Sequence, residues 1–497
     1  MLSKNYYAIK ISAIAFVAIS VISVGCKKSF LNPPVQGALP ASQLYINQAG
    51  ATQGINALYS ELGAWAQTAF PALAIESMGG DEVQKGSTPG DSPNMGLYHT
   101  FTQTGAESGF DDTFWAGQYL EISLCNQAID SIPKINMDAT LKNRYIAEAK
   151  FIRAYNYFRL ARAYGDVPLR LHYPKSAADF NIPRTPRAQV YAQVEQDLND
   201  AASVLPATYT GLDVGRATKG AALALHAKVA MYEGKWADVL SYTNAVISSG
   251  VYSLFPDFEK SFREQNENNS EEIFEIQNGN VAANPASSYS QFSQVQGVAP
   301  QYGWGFNIPT HALVAAFEPG DPRMNGTILF AGGTSAEGDA IPALGNGHVD
   351  SMYNYKSYVP FSDVILNNPG AGQDVRVLRY SDVLLMNAEA NNNAGNTSAA
   401  LASLEMVRAR ARGGNSAVLP KVTTTDKTQL QLAIWHERQV ELAMESDRFF
   451  DVIRQGQGRA LALFGNRGFK AGKNELQPIP ASEIVLSGGL LKQNPGY

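Results

Sequence analysis

The residue whose position most directly implies chemistry in this sequence is Cys26. It follows an apolar run at residues 11–24 that is preceded by two lysines, and Gly25 immediately before it is small. The run is shorter than the ~20 residues that a membrane-spanning helix needs, and the pattern is typical of a signal peptide cleaved before a cysteine that becomes acylated. We therefore predict a lipoprotein signal peptide over residues 1–25 and lipidation of Cys26.

Acidic pairs are the second candidates for chemistry, because glycoside hydrolysis requires two carboxylates, one of which is kept protonated. Three pairs are available: Asp81 with Glu82, Asp111 with Asp112, and Glu318 with Asp321. Adjacent acids on a loop are usually solvated, however. The six histidines form no HExxH motif or Cys-His cluster, and no GxSxG elbow or phosphate-binding glycine loop is present. The sequence therefore predicts no metal site and no cofactor, and an enzyme is the weaker hypothesis.

The element around which the chain is organised lies at residues 143–169. Its aromatic and alanine side chains recur at the i, i+3, i+4 and i+7 spacing, which predicts a helix with one buried stripe. Arg153, Arg159 and Arg162 fall elsewhere around this helix, so we expect them to face water. Gly165 and the proline that follows it predict the end of the helix.

Helix, glycine and helix patterns recur around Gly234 and Gly395, and both resemble tetratricopeptide hairpins. No constant period of ~34 residues runs through the chain, and unrelated antiparallel helix pairs would give the same local pattern. We predict a mainly α fold whose helical scaffold occupies chiefly residues 114–250 and 376–460.

Two stretches interrupt this scaffold. Residues 79–96 are rich in Gly, Pro, Ser and Asp, which predicts a long exposed loop of the kind that often carries function. Residues 252–375 combine Gly, Pro, Asn and aromatic residues with a strand-like piece at 272–276. We interpret them as a large irregular insertion.

Residues 434–456 predict one further helix, apolar on one side and densely charged on the other. Buried or half-buried arginine–carboxylate pairs commonly fix helix packing, which favours a structural role for these charges. The whole chain has 497 residues, a formal net charge of -6 and 45% hydrophobic residues. This composition is globular, and the absence of a basic patch argues against a nucleic-acid partner.

Several blocks, taken together and in order, carry a family resemblance. They are CKKSFL (26–31), AEAKFIRA (147–154), YGDVP (164–168), GRATKGA (215–221), LRYSDVLL (378–385), ERQVEL (437–442), RFFD (448–451), PIP (478–480) and QNPGY (493–497). In this order they resemble the SusD/RagB family of outer-membrane nutrient-binding lipoproteins. The resemblance spans nearly the whole chain.

The resemblance implies a lipidated extended segment at residues 26–42 and a single SusD-like body at 43–497, with four tetratricopeptide-like units supporting the ligand-facing insertion. It also implies a partner, a SusC-like TonB-dependent transporter in the outer membrane. The protein itself is then anchored to that membrane and faces the exterior. One departure concerns the residues after the cysteine. Lys27 and Lys28 stand where surface-displayed members often carry acidic residues.

The functional hypothesis that follows is non-catalytic binding of oligosaccharide. Sugar rings present apolar faces and hydroxyl edges, so a site needs flat aromatic side chains flanked by amides and carboxylates. The candidate residues, drawn from the insertion and from the first loop, are Trp304, Tyr302, Tyr289, Asp81, Glu82 and Tyr98. A peptide ligand, a helical glycoside hydrolase and a pure protein-binding scaffold are the alternatives.

Overall fold

The computed structural model describes residues 44–106, 109–278, 291–299, 301, 303–343, 352–362 and 372–497. Within these ranges the fold is mainly α, as predicted. The helices of the N-terminal half are α1 (Gln48–Leu62), α2 (Trp65–Thr68), α3 (Phe70–Glu76), α4 (Met95–His99), α5 (Phe110–Ser131), α6 (Ala139–Tyr164), α7 (Arg187–Val204), α8 (Lys219–Tyr232) and α9 (Trp236–Ser248). Those of the C-terminal half are α10 (Phe292–Gln296), α11 (His311–Ala316), α12 (Arg323–Thr327), α13 (Tyr380–Ala394), α14 (Thr397–Arg412), α15 (Lys427–Glu441), α16 (Arg448–Arg454), α17 (Gln457–Phe464) and α18 (Ala481–Leu486).

Helix α6 is the centre of the scaffold, and it packs between α5 and α7. Asp138 caps its N-terminus by accepting a hydrogen bond from Leu141 N, and the chain leaves the helix at Gly165 with φ +76°. The end at Gly165 was predicted correctly. The prediction that one face is wetted was wrong, because the arginines of α6 are buried against carboxylates from other helices.

Antiparallel neighbours build the rest of the scaffold. Helices α7, α8 and α9 follow one another in space, α13 packs against α9, and α14 and α15 pack against α13. The predicted turns are confirmed, since Gly234 and Gly395 both adopt positive φ, +71° and +82°. Helix α13 therefore packs against α9 and continues the helical stack after the insertion ends.

Three two-stranded antiparallel sheets organise the insertion: one pairs it with the first loop, one pairs its start with its end, and one lies within it. Their strands are β1 (Val83–Gly86) with β3 (Phe306–Pro309), β2 (Glu272–Ile276) with β6 (Val375–Arg379), and β4 (Ile328–Phe330) with β5 (Met352–Asn354). Strand β2 coincides with the predicted strand. The first loop was expected to be irregular and exposed throughout, but β1 lies within it and joins the insertion through β3.

The helix predicted at residues 434–456 is two helices, α15 and α16, separated by a tight turn. Met444 and Ser446 in this turn have positive φ, 66° and 64°. The Met444 N–H, which a continuous helix would direct along its own axis, donates instead to the buried carboxylate of Glu82 at 2.9 Å. The first loop thus holds the break in place, and no local sequence signal reveals it.

The charges of the C-terminal helices form buried ion pairs, as predicted, and these pairs also join the helices to the insertion. Glu441 on α15 is fully buried and receives hydrogen bonds from the guanidinium groups of Arg323, Arg379 and Arg410. Burial alone would raise the pKa of Glu441, but these arginines hold it well below its ordinary value. Ionised Glu441 therefore links α15 to Arg323 within the insertion, to Arg379 at the end of β6 and to Arg410 on α14.

We expect Glu441→Gln to lower the free energy of unfolding by roughly 3–5 kcal/mol, because it leaves three buried guanidinium groups short of one negative charge. Urea unfolding of the purified protein measures this. Glu405→Gln is the matched control, since its partner Arg412 forms a pair that is only partly buried, and its loss should be below about 1 kcal/mol. Equal losses of unfolding free energy in Glu441→Gln and Glu405→Gln would contradict the larger cost expected for breaking the buried ion pairs.

Candidate functional site

A cluster of aromatic side chains forms where the N-terminal helices meet the insertion. Trp304, just before β3, stacks on Phe70 of α3 with ring centroids 5.7 Å apart and planes at 20°. Trp65 of α2 lies 6.3 Å from Trp304 and 5.5 Å from Phe70. Phe306 packs edge-on against Phe70 at 4.6 Å, and Phe110 stacks on its other side at 5.9 Å. We call these five residues the aromatic platform.

The platform has a buried floor and an exposed rim. Phe70 and Phe306 are almost fully buried, whereas Trp304 and Phe110 are half-buried and 38% of Trp65 is exposed. Large exposed aromatic side chains that cluster around a packed floor are unusual on a protein surface unless they contact something. The platform therefore offers flat apolar ring faces to a ligand.

The two glycines beside Trp304 explain its position. The backbone of residues 303–305 hydrogen-bonds to that of α10 and the turn after it: Trp304 N donates to Gln294 O at 2.9 Å, and Gly305 N to Gly297 O at 3.0 Å. A Cβ at position 303 would lie 2.0 Å from the Gly297 carbonyl carbon, so only glycine fits there. The Gly-Trp-Gly sequence thus presses this segment against α10 and directs the indole toward α2 and α3.

The first loop meets the insertion, as the resemblance implied, but its acids face inward. Asp81 receives two hydrogen bonds from Arg448, at 2.7 and 3.0 Å. Burial would raise the pKa of Asp81, but Arg448 outweighs it and holds the pKa below its ordinary value. Glu82 is 2% exposed, and burial raises its pKa to about 8. Both carboxyl groups are therefore engaged in packing.

Tyr98 supports the platform from beneath. It is 1% exposed, its ring lies 6.3 Å from that of Phe110, and its hydroxyl donates to Asp111 Oδ2 at 2.6 Å. Its side chain therefore presents no surface to a ligand. Among the predicted binding residues that the structure describes, Trp304 alone reaches the rim of the platform. Tyr289, Tyr302 and the lipidation site Cys26 lie outside the described residues.

The candidate catalytic acids have partners of their own. Asp111 is fully buried beneath Tyr98, Glu318 Oε1 accepts from Arg408 at 2.8 Å, and Asp321 accepts from Arg323 at 2.8 Å. Where the structure describes the chain, no group of three or more His, Cys, Asp or Glu side chains is arranged to hold a metal ion. These carboxylates are thus tied into the packing of the body.

Sequence reasoning missed Trp65, Phe70 and Phe110. A tryptophan in a short helix directly after the glycine that ends α1 was an available signal for an exposed aromatic residue. The pairing with Trp304 was not available, because 239 residues separate the two indoles in the chain and no local pattern reports such a contact.

The fold places the protein in the class of helical-repeat scaffolds, here one that carries an aromatic platform. Comparison with known proteins shows which family it is similar to. The model of the SusD family matches residues 270–497, and a second model, described as "Starch-binding associating with outer membrane", matches residues 72–231. SusD-like protein P2 of Formosa agariphila is 27% identical over 97% of this chain and 99% of its own length.

Solved structures agree. A laminarin-binding SusD-like protein is 29% identical with a TM-score of 0.78, covering 91% of this chain and all of its own. Surface glycan-binding protein A of Bacteroides fluxus, at 23% identity, shares the fold with a TM-score of 0.75 over 91% of this chain and all of its own. The chain is therefore SusD-like over nearly its whole length. Among the described helices, none is long and apolar enough to span a membrane.

The buried carboxyl of Glu82 should make stability depend on pH. With a pKa raised from 4.5 to about 8, folded Glu82 binds a proton that the unfolded chain releases, so the free energy of unfolding falls as pH rises between these values. Glu82→Gln keeps an oxygen for Met444 N but cannot ionise. We expect this variant to gain more than about 1 kcal/mol over the wild type between about pH 5 and pH 8.

Urea unfolding across this pH range measures the effect. Glu475→Gln, in a half-exposed turn, is the control and should follow the wild-type pH profile. A Glu82→Gln profile parallel to that of the wild type would show that Glu82 is ionised in the folded protein.

Proposed function

We propose that this protein is a non-catalytic outer-membrane lipoprotein that binds oligosaccharide and delivers it to a SusC-like TonB-dependent transporter. It is held at the membrane by lipid on Cys26 and faces the exterior. Similarity to the SusD family supports the outer-membrane association, and the description of the second family model names both starch binding and that membrane. The transporter partner is inferred from the family resemblance, and the lipid is inferred from the signal-peptide pattern that ends at Cys26.

The observation that carries the proposal is the aromatic platform. Oligosaccharides expose apolar C–H faces that stack on indole rings without any proton transfer. Trp65 and Trp304 offer two such rings, one from the N-terminal helices and one from the insertion, so an extended sugar chain can bridge both segments. The laminarin-binding relative at 29% identity makes a glucan the first ligand to test.

A peptide ligand is the alternative within the same family, and hydrolysis of a glycan is the weakest hypothesis. The acid pairs at 111–112 and 318–321 weigh against hydrolysis, since their buried members hydrogen-bond to tyrosine or arginine. Both alternatives are resolved by the ligand panel of the binding experiment.

Trp304→Ala and Trp65→Ala should each weaken binding of laminarihexaose at least about tenfold, or 1.4 kcal/mol, because each removes one stacking surface. Isothermal titration of the purified full-length protein against laminarihexaose, maltohexaose and hexapeptides measures this, and chromatography of the same samples detects cleavage. Tyr173→Ala, which removes an aromatic side chain of similar exposure away from the platform, is the control.

Unchanged affinity in both tryptophan variants would overturn the platform as the site. Binding of peptides alone would change the ligand class, and release of shorter sugars would contradict the non-catalytic assignment.

Cys26→Ala should abolish attachment to the membrane, because the acyl chains on the cysteine supply it. In cells fed a labelled fatty acid, we expect label on the wild type in the membrane fraction and none on the variant. Cys125→Ala is the control, since Cys125 is buried in the fold. Label retained after Cys26→Ala would place the anchor elsewhere.

A further inference from the structure

A groove of about 510 Å³ lies on the helical scaffold, away from the aromatic platform. It is bounded by the turn between α8 and α9, by the outer face of α15 and by the start of the segment after α16. Half-buried indoles stand on both sides, Trp236 at the start of α9 and Trp435 on α15. The volume falls in the range of small-molecule sites. The groove shares no residue with the platform.

Each carboxylate that lines this groove has a basic partner, since Glu389 pairs with Arg454 and Glu233 pairs with Lys235 at 2.9 Å. Arg454 binds both carboxylate oxygens of Glu389, at 2.9 and 2.8 Å, and Trp435 Nε1 donates to the same carboxylate at 2.9 Å. At the rim, Lys427 Nζ donates to a backbone oxygen, that of Asn393, at 2.8 Å. These contacts fix the Trp435 indole by its N–H edge and leave the groove without a buried charge that calls for a charged ligand.

Two amide groups at the groove lack a partner on one side. Gln431 Oε1 accepts from Asn392 at 3.0 Å, but its Nε2 is buried without an acceptor among the described residues. Gln455 Nε2 donates to Asp451 at 3.3 Å, but its Oε1 is buried without a donor within the same part of the chain. Unsatisfied buried polar atoms cost roughly 1–3 kcal/mol each, so a bound group that both accepts and donates is favoured here.

We propose that this groove is a second binding site, specific for a neutral mono- or disaccharide unit. Hydroxyl groups both donate and accept, which matches the amides of Gln431 and Gln455. The apolar faces of a sugar ring match the two indoles. A neutral ligand matches the internally paired charges. The site stands independently of the platform and of the function proposed for it.

The test uses the full-length protein in which Trp304→Ala has weakened the platform. Laminaribiose and maltose are the probes, with glucuronic acid and the dipeptide Gly-Gln as charged and peptide probes. Fluorine NMR of this variant labelled with fluorotryptophan reports each of its four remaining tryptophans separately. We expect a saturable shift of the Trp236 and Trp435 signals with a neutral disaccharide, and none at the buried Trp115.

Gln431→Leu should weaken this binding at least about tenfold, because it removes the donor while preserving volume. Gln429→Leu, on the exposed side of the same helix, is the matched control and should bind like its parent. Absence of saturable shifts at Trp236 and Trp435 with both disaccharides would overturn the site. Equal affinity in the two glutamine variants, or a preference for the charged or peptide probe, would overturn the assignment to a neutral sugar.

Binding of laminarihexaose to the wild-type protein is measured in parallel. The affinity for laminarihexaose reports on the platform, whereas the Trp236 and Trp435 signals report on the groove. Loss of binding at one site is therefore distinguishable from loss of binding at the other.

Discussion

The burial of arginine and carboxylate side chains together is the constraint on which the rest of this structure depends. Arg438 of α15 is almost fully buried between Asp382 of α13, at 2.7 Å, and Asp451 of α16. Lys228 of α8 shares Asp382 and also contacts Asp447. Removing one member of such a set leaves a buried charge without a partner, which is costly in a medium of low polarity. The ion pairs therefore fix the position of each helix against the next. The stack is specified by pairing as well as by apolar contact.

The same pairing reaches the region that carries the platform. Asp447 also binds Arg162 of α6, and Arg162 binds Glu76, the last residue of α3. Phe70, the floor of the platform, is the first residue of that short helix. The position of the platform is therefore set by charges on α6 and on the turn before α16. A cavity of about 90 Å³ lined by several of these side chains has room for a few water molecules.

Sequence patterns predicted the elements whose causes are local. Gly165, Gly234 and Gly395 end or turn helices because only glycine adopts positive φ readily, and strand β2 is short and rich in isoleucine and phenylalanine, which favour strands. The buried state of Arg159 and Arg162 was not predictable, since their partner Glu76 lies over 80 residues away in the chain. In the site, Trp304 was predicted from its glycine-rich surroundings. Its partner Trp65 was not, because the contact is created by the β1–β3 pairing.

Two sets of buried carboxyl groups respond to pH in opposite senses. In the scaffold, burial opposes ionisation of Glu441 and Asp451, but their arginine partners hold each pKa below its ordinary value, so their stabilisation is present at neutral pH and is lost on strong acidification. In the insertion, burial and mutual repulsion raise the pKa of Glu267 and Asp374, which lie beside a single arginine, Arg376. There the folded state holds protons more tightly than the unfolded chain, so stability falls as pH rises through neutrality. The insertion supplies Trp304 to the platform, whereas the groove between Trp236 and Trp435 is built on the scaffold. Rising pH therefore acts against the protonated pair of Glu267 and Asp374 in the insertion, whereas Glu441 and Asp451 stay ionised beside their arginines.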